Sequence, residues 1–293
     1  MNRHQLQPRQ WIRSAAALAV ALLLFHGAAR AQEEKASAST TACGASIAVC
    51  GCTITKAGTY TVTADLSSGQ GLTAAGDCIA IKASNAILDV HEYSVTGPGL
   101  GTSTGAGIDV LKSSSGAFIE GGGSVSSGWK YGLEVQGKNT ISDWVEPDGN
   151  VVGIFLNGAT GANINNFDAI DNSVYGVWIQ GGKGNQVNAF ASGSNTGTGV
   201  YIGCHDDDTH GTKCAGVKPS SGNRIYDFNA ESNGDAGIVI DLGNEGNVIT
   251  DVHISGNAGG VDSIDENPSC GTDQWIQERT TTVFGVTSQS CIP

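Results

Sequence analysis

The chain is poor in positive charge. Its 293 residues include 15 Lys and Arg against 28 Asp and Glu, with one Met and 6 Pro. Four of the arginines precede residue 32, so the remainder carries 11 basic and 28 acidic side chains, a net charge of −17. Such a surface repels phosphate backbones, which argues against a nucleic-acid partner. It also disfavours polyanionic glycans unless a cation bridges them.

Long apolar runs are scarce as well. The run at residues 15–25 follows several arginines and precedes Ala29-Arg30-Ala31, the pattern of a secretory signal with an A-x-A cleavage site. We therefore predict a signal peptide at 1–31, and no other run is long enough to cross a membrane. No lipobox cysteine follows the run, which argues against a lipid anchor. The mature chain is expected to be secreted or periplasmic, without membrane insertion.

Cysteine patterns typical of zinc sites are lacking, since there is no CxxC pair and the four histidines after residue 31 are scattered. Zinc is the competing interpretation, but export permits disulfides. Cys204 and Cys214 bracket a short loop, and Cys270 and Cys291 bracket the C-terminal segment. The N-terminal group allows three connectivities. Of these, we favour Cys43–Cys50 with Cys52–Cys78.

A Gly-X-Y period is absent, although 43 residues are glycine, so the chain is not collagen-like. What is present is an internal repeat. Glycines open a Gly-apolar-x-apolar motif at positions 107, 132, 153, 176, 199 and 237, reading GIDV, GLEV, GIFL, GVWI, GVYI and GIVI. Their spacings are 25, 21, 23, 23 and 38, and the long one contains the Cys204–Cys214 loop.

A second motif lies between these glycines and reads ISDWV, INNFDA, VNAFAS, IYDFNA and ITDVHI, starting at Ile141, Ile164, Val187, Ile225 and Ile249. Two asparagine columns accompany it, each with one break. Two residues before the starts lie Asn139, Ala162, Asn185, Asn223 and Asn247. Eight residues after the starts lie Gly149, Asn172, Asn195, Asn233 and Asn257.

These patterns predict an all-β, single-stranded parallel β-helix. Alternating apolar residues indicate strands with one buried face, and Asn or Asp at the breaks tolerates a left-handed turn. The chain would form about eight coils of roughly 23 residues, each with about three short strands. Coils stacked about 4.8 Å apart would pair strand on strand in parallel sheets. Stacked asparagines would hydrogen-bond between coils. The rings of Phe167, Phe190 and Phe228, with Trp144, would stack inside.

A leucine-rich repeat is the alternative fold, because its period and asparagine ladder overlap with these. Here the apolar positions hold Ile and Val rather than Leu, and the L-x-x-L-x-L signature is missing. We assign residues 32–51 to an N-terminal tail and cap and residues 52–293 to one β-helix domain with disulfide-closed caps. Asp143, Asn166, Asp227 and Asp251 are interpreted as turn formers.

From about Cys52 to Cys291 the chain resembles the right-handed parallel β-helix repeat proteins of the pectate-lyase-like superfamily. The segments DCIAIKASNAILDVHEYSVTGPG and DENPSCGTDQWIQERTTTVFGVTSQSCI carry this likeness besides the repeat. The resemblance implies a right-handed solenoid whose first sheet binds saccharides. The polygalacturonase, pectate-lyase and mannuronan-epimerase motifs of the superfamily are missing. Whether the chain is a polysaccharide lyase, a glycoside hydrolase or no enzyme therefore stays open.

The variable residue of the Gly-apolar-x-apolar motif points outward on each coil. Phe155, Trp178 and Tyr201 fall at this position on consecutive coils and predict an exposed aromatic strip. Aromatic faces that pack on sugar C–H surfaces would suit a polysaccharide. The alternative is that the rings only stabilise the sheet face as cross-strand pairs.

Asp109 and Glu134 take the same position on two neighbouring coils. Two close carboxylates repel, so one pKa should rise, as in the acid and nucleophile pair of a retaining glycosidase. The alternative is a pair of solvated acids on an acidic surface. Gln136, Asn157 and Gln180, two positions further along, would donate hydrogen bonds to hydroxyls or form an amide ladder.

The loop CHDDDTHGTKC carries Asp206, Asp207 and Asp208, oxygen ligands that suit calcium, although the spacing differs from D-x-D-x-D-G. A charged, disulfide-closed loop is the simpler interpretation. Two functions follow from the sequence. The first is an exported β-helix that binds or processes a polysaccharide or cell-surface glycan. The second is a structural or adhesive β-helix without a small-ligand site.

Overall fold

The computed structural model describes residues 41–70, 76–103, 105–124, 127–204, 217–277 and 283–293. They form an all-β parallel solenoid of about eight turns, which confirms the predicted fold class. The predicted signal peptide lies outside the described residues. The described ranges also contain two short 3-10 helices, at Ser68–Gln70 and Pro268–Cys270.

Two long parallel sheets make up most of each coil. One has ten strands, in the order β1 Ser46–Ile47, β3 Gly58–Val62, β6 Ala86–His91, β9 Phe118–Ser124, β11 Ile141–Glu146, β13 Asn163–Asp168, β15 Gln186–Ala191, β17 Arg224–Glu231, β19 Val248–Ser255 and β21 Gln274–Ile276. The other has nine, in the order β2 Cys52–Ile54, β5 Ile79–Ile81, β8 Ala106–Val110, β10 Tyr131–Val135, β12 Val152–Asn157, β14 Tyr175–Gln180, β16 Val200–Ile202, β18 Ile238–Ile240 and β20 Ser263–Asp265. A third sheet contains only β4 Leu66–Ser67 and β7 Val95–Thr96.

The predicted third strand of each coil is reduced to a single residue along most of the solenoid. Isolated parallel bridges connect Ser115, Lys138, Thr160, Lys183, Ser221 and Glu245 on successive coils. The residue after each bridge has a positive φ, as in Gly161 (65°) and Asn139 (49°). Because the left-handed backbone turns the chain at that point, a strand does not continue.

One coil is shifted by a residue from the predicted alignment. Ser142 rather than Ile141 pairs with Ile164, since only 22 residues separate the coils here. Val145 therefore enters the interior with 1% exposure, and Trp144 is 58% exposed rather than stacked inside. The prediction for Trp144 is wrong for this reason.

The other three rings of the predicted stack do lie inside the solenoid. Phe167 stacks on Phe190 with 4.6 Å between ring centroids, and Phe190 stacks on Phe228 with 4.8 Å. Their neighbours in the core are the inward aliphatic residues of both sheets. The core is thus a continuous column of side chains that neighbouring coils share, as solenoids require.

The second asparagine column forms a buried ladder. The backbone N–H and side-chain Nδ2 of Asn172 both donate to Asn195 Oδ1, at 2.9 and 3.1 Å. Asn195 donates in the same way to Asn233, and Asn233 to Asn257. Asn150, not the predicted Gly149, begins this ladder, because of the same one-residue shift.

The first column forms a matching ladder that runs from Asn185 through Asn223 to Asn247. Asn139 is not part of it, since it is exposed and occupies a left-handed turn. Each ladder ends in an aspartate. Asp273 accepts two hydrogen bonds from Asn247, and Asp262 accepts two from Asn257. In each ladder one aspartate oxygen accepts both the backbone N–H and the side-chain N–H of the last asparagine.

The asparagine ladder leaves no room for a side chain at the repeat glycines that lie beside it. A Cβ at Gly176 would lie 2.8 Å from Asn195 Nδ2, and one at Gly199 would lie 2.9 Å from Asn233 Nδ2. These distances are too short for a side chain beside the ladder. The glycine column and the asparagine column of the sequence therefore depend on each other, because the glycines make the space that the ladder asparagines fill.

The N-terminal disulfides differ from the prediction. Cys43 pairs with Cys52 and Cys50 with Cys78. Residues 41–43 run parallel to β2, with Cys43 N–H donating to Thr53 O at 3.0 Å, so Cys43 lies beside Cys52. The predicted Cys270–Cys291 bridge is confirmed. Cys204 is disulfide-bonded, but Cys214 lies outside the described residues, so that pairing stays a prediction.

Candidate functional site

The candidate site lies on the outer face of the nine-stranded sheet, where one outward residue per coil forms a column. Strand pairing places on successive coils Asp109, Glu134, Phe155, Trp178 and Tyr201. The predicted vertical order is therefore confirmed, and so is the assignment of all five to one face.

The aromatic residues of this column are not exposed, contrary to the prediction. Phe155, Trp178 and Tyr201 have 3%, 8% and 5% of their surface exposed. Tyr131 packs on Phe155 with 4.8 Å between ring centroids, and Tyr175 stacks on Tyr201 with 4.7 Å. Phe155 and Trp178 also stack on each other at 4.1 Å. Because the rings are covered, they do not present a free platform to a ligand.

The covering tyrosines come from the residue directly before a repeat glycine. Tyr131 precedes Gly132, and Tyr175 precedes Gly176. A Cβ on Gly132 would lie 2.5 Å from Pro147 Cβ, so only glycine fits at this position. The side chain of the preceding Tyr131 packs on the outer face of the sheet with Phe155. The sequence signal that could have predicted this cover is a tyrosine immediately before the glycine.

The polar ends of the buried rings find partners within the protein. Trp178 donates from Nε1 to the Gly203 carbonyl at 2.9 Å, and the Tyr201 hydroxyl donates to Asp241 Oδ2 at 2.6 Å. Burial, and then the hydrogen bond to Asp241, raise the pKa of Tyr201 above its ordinary value. Tyr201 is therefore a fixed hydrogen-bond donor, and the aromatic stack is a rigid layer.

The acidic pair is buried as well. Asp109 and Glu134 are 1% and 3% exposed, so they are not the solvated acids of the alternative interpretation. Gln136 donates from Nε2 to Asp109 Oδ1 at 3.1 Å, and Asn157 donates from Nδ2 to Glu134 Oε1 at 3.0 Å. Burial first, and then the charges of Glu134 and Asp109, raise the pKa of Tyr131 above its ordinary value. In this arrangement neither acid has open access to a scissile bond, and its assignment as catalytic stays a prediction.

The row of amides lies at the surface of the site. Gln136, Asn157 and Gln180 are half-buried, and Asn157 pairs with Gln180 across β12 and β14. Gln136 follows Val135, the partner of Leu156, so the three amides occupy consecutive coils. The first two do not form an amide ladder with each other. Instead, each donates to a carboxylate of the preceding coil.

Sequence reasoning missed a second pair of acids at the other end of the row. Asp241 directly follows β18 and Glu266 directly follows β20, so the two lie on neighbouring coils. Asp241 is 2% exposed, and Gly203 leaves the space for it, since a Cβ there would lie 2.6 Å from Asp241 Cβ. The signal was available in the sequence, because Asp241 occupies the same position after its strand motif as Gln180.

Asp206, Asp207 and Asp208 lie outside the described residues, so calcium binding by their loop stays a prediction. Within the parts of the chain that the structure describes, no group of three or more His, Cys, Asp or Glu could hold a metal ion. No helix in those same parts is long and apolar enough to cross a bilayer.

Comparisons with known proteins give similarity of fold. No family model and no curated protein sequence matches the chain. Among solved structures, the enzymatically active domain of tailspike protein 2 from bacteriophage CBA120 aligns with a TM-score of 0.51 and 13% identity, covering 75% of this chain and 37% of that one. The Dettilon tailspike protein aligns with a TM-score of 0.42 and 14% identity, covering 83% of this chain and 59% of that one.

The chain spans less than two thirds of the length of either tailspike structure. At such identities the likeness concerns the architecture and not the residues of a site. The chain is therefore a disulfide-bonded parallel β-solenoid with the fold of the CBA120 tailspike domain.

Proposed function

We propose that this protein binds a polysaccharide along the outer face of its nine-stranded sheet, and that Gln136, Asn157 and Gln180 make the contacts. The observation that carries the proposal is the half-exposed row of amides on consecutive coils, above buried acids that hold two of them in place. A few well-placed polar groups on a rigid apolar base are typical of ligand sites.

The hydrogen bonds inside the site determine what the row offers a ligand. Because Gln136 and Asn157 each use a side-chain N–H to bind a carboxylate, their orientation is fixed and their carbonyl oxygens are free to accept. Sugar hydroxyls are donors that such oxygens accept. Amides already fixed by the protein lose little freedom when a ligand binds, which favours affinity.

The spacing of the row also suits a chain of sugars. Neighbouring coils lie about 4.8 Å apart, close to the length of one sugar ring. Three amides on consecutive coils therefore meet successive rings of a polymer that runs along the solenoid axis.

Charge favours a neutral glycan over a uronate. The chain after residue 31 has a net charge of −17, and the acids Asp109 and Glu134 lie directly beneath the amides. Carboxylates of a polyuronate would approach this negative potential, whereas hydroxyls of a neutral polymer would not be repelled. The ligand class that fits the face is a neutral or cationic polysaccharide.

In this proposal the aromatic stack is a support rather than the contact surface. Phe155, Trp178 and Tyr201 hold the strands rigid under the amides, as cross-strand aromatic pairs do. One structurally similar protein is described as the enzymatically active domain of a tailspike, so the fold is compatible with an active site. The disulfides suit an oxidising environment outside the cytosol, where such polymers occur.

The test is a glycan array followed by calorimetry on the best neutral ligand. The variant Gln136→Ala/Asn157→Ala/Gln180→Ala loses about three hydrogen bonds, which predicts an affinity loss of roughly 100-fold. A matched control, Gln186→Ala/Gln274→Ala, removes exposed amides from the other sheet and should bind like the parent. Equal binding by the triple variant would overturn the proposal.

A second readout addresses reaction chemistry. Release of reducing ends or unsaturated products from the bound polymer would indicate catalysis, and its loss in Asp109→Asn or Glu134→Gln would assign those acids. The burial of the aromatic stack favours the other candidate function, a structural or adhesive solenoid. If no glycan on the array binds, that structural role is the better account.

A further inference from the structure

Trp144 is an outlier in backbone and exposure. Its φ is 58° and its surface is 58% exposed. The same turn position on the following coils holds Asn166, Ala189, Asp227 and Asp251, all with φ between 50° and 54°. Asn and Asp tolerate this left-handed conformation, whereas a bulky aromatic residue there is strained. The backbone at this position therefore favours Asn or Asp, and most of the indole surface is exposed.

An apolar row lies on the outer face of the ten-stranded sheet, on the strand of Trp144 and the two coils before it. Ile87, Phe118 and Ile141 pair in register on three consecutive coils. Ile87 and Ile141 are 39% and 41% exposed, and Phe118 is half-buried. On the next coil the position changes to Asn163, so the row is confined to these coils. The row is one of the few exposed groups of large apolar side chains among the described residues, where most such side chains are buried.

An acidic row runs parallel to the apolar row, two residues further along the same strands. Asp89, Glu120 and Asp143 pair in register on the same three coils. In the described parts of the chain, no lysine or arginine makes an ion pair with them. Asp89 contacts His91 at 3.2 Å, and Asp143 Oδ1 accepts from Asn166 Nδ2 at 2.7 Å. On the next coil the position is Asn165, so the negative charge ends where the apolar row ends.

We propose that this surface, formed by the apolar row, the acidic row and Trp144, is a docking site for a basic amphipathic polypeptide segment. Charge decides the occupant. A second copy of this chain would bring further negative charge against Asp89, Glu120 and Asp143, because its net charge after residue 31 is −17. A partner with Lys or Arg beside apolar side chains complements both rows.

Each part of the surface has a partner in such a segment. Apolar side chains of the ligand cover Ile87, Phe118 and Ile141, and ammonium or guanidinium groups lie on the carboxylates. Trp144 directly follows Asp143 of the acidic row, and a cation of the ligand can pack on the face of its exposed indole. Branched aliphatic side chains such as those of Ile87 and Ile141 suit a polypeptide better than they suit the flat faces of a sugar.

The test uses a short synthetic peptide in which Ile and Arg alternate, at physiological ionic strength, with binding followed by calorimetry. Two comparison peptides replace Ile by Gly or Arg by Glu. The Ile-Arg peptide should bind at least about tenfold more tightly than either, since both rows contribute. Equal binding of the Gly-Arg peptide would overturn the proposal, because it would reduce the surface to charge alone.

Two variants and a charge-matched control localise the site. Trp144→Asn and Glu120→Gln/Asp143→Asn should each weaken binding roughly tenfold or more. Asp227→Asn/Glu245→Gln removes the same charge from exposed acids elsewhere and should leave binding unchanged. Since Asn suits the turn, Trp144→Asn should melt at a higher temperature while it binds less. The docking site would be refuted if the Ile-Arg peptide does not bind, or if the control variant weakens binding as much as the two test variants. It would also be refuted if a glycan, and not the peptide, changes the fluorescence of Trp144.

Discussion

The asparagine ladder makes a sharp prediction about stability. Asn195 is 1% exposed, and its Oδ1 accepts from both the backbone N–H and the side-chain Nδ2 of Asn172. Its own Nδ2 donates to Asn233 Oδ1 and to Ala169 O, at 3.0 and 3.1 Å. Replacement by Ala removes every one of these side-chain bonds and leaves two donors of Asn172 buried without an acceptor.

The expected loss of stability follows from the number of buried donors that lose their acceptor. An unsatisfied buried donor costs about 1–3 kcal/mol, so two donors predict a loss of about 2–6 kcal/mol for Asn195→Ala. The matched control is Asn229→Ala, an exposed asparagine of β17, for which surface substitutions predict a change within about 0.5 kcal/mol. Urea unfolding followed by circular dichroism measures both. A loss below about 1 kcal/mol for Asn195→Ala would refute the ladder as a source of stability.

Further predictions concern the caps, the ladder end and the strained turn. Peptide mapping of the oxidised protein should recover Cys43 linked to Cys52, and Cys50→Ala should lower the free energy of unfolding by about 3–4 kcal/mol, since that bridge closes a loop of 28 residues. Burial above all raises the pKa of Asp273 from 3.8 to about 7. The folded protein thus holds this proton more tightly than the unfolded chain, and stability falls as pH rises from about 4 to about 7. That rise in pKa corresponds to ~4 kcal/mol, and because Asp273 is partly exposed and screened by solvent we expect about 2 kcal/mol. Asp273→Asn should therefore gain stability over the parent across this range, and a constant difference between pH 4 and pH 8 would contradict the assignment. Trp144→Asn should stabilise the protein by about 1 kcal/mol through relief of backbone strain, and a lower melting temperature would contradict it.

The fold follows from the sequence because its signals are periodic. Residues one period apart become vertical neighbours, so the 23-residue spacing gave the correct register for Phe155, Trp178 and Tyr201. The prediction failed where one period is shorter. Only 22 residues separate Ser142 from its partner Ile164, which moves Trp144 out of the core. A single skipped residue exchanges inward and outward positions.

The state of the candidate site was less predictable than its position. Alternation showed that Phe155, Trp178 and Tyr201 point out of the coil, but their burial depends on the neighbouring rings of Tyr131 and Tyr175. The two tyrosines directly precede repeat glycines, a signal that lies outside the Gly-apolar-x-apolar period on which the prediction was based.

The N-terminal disulfides failed for a related reason. Four cysteines within a short segment permit several pairings, and the choice depends on how the chain folds back along β2. Spacing alone does not specify that path. By contrast, Cys270 and Cys291 are well separated from the other cysteines in sequence, which explains why their pairing was predicted correctly.

The most direct test of the account is a crystal structure of the protein with the oligosaccharide that binds best on the array. We expect the sugar rings to lie along the nine-stranded sheet, with hydroxyls within hydrogen-bond distance of the side chains of Gln136, Asn157 and Gln180. An oligosaccharide bound on another face, or one that displaces Tyr131 and Tyr175 to reach the aromatic stack, would contradict the proposed role of the amides.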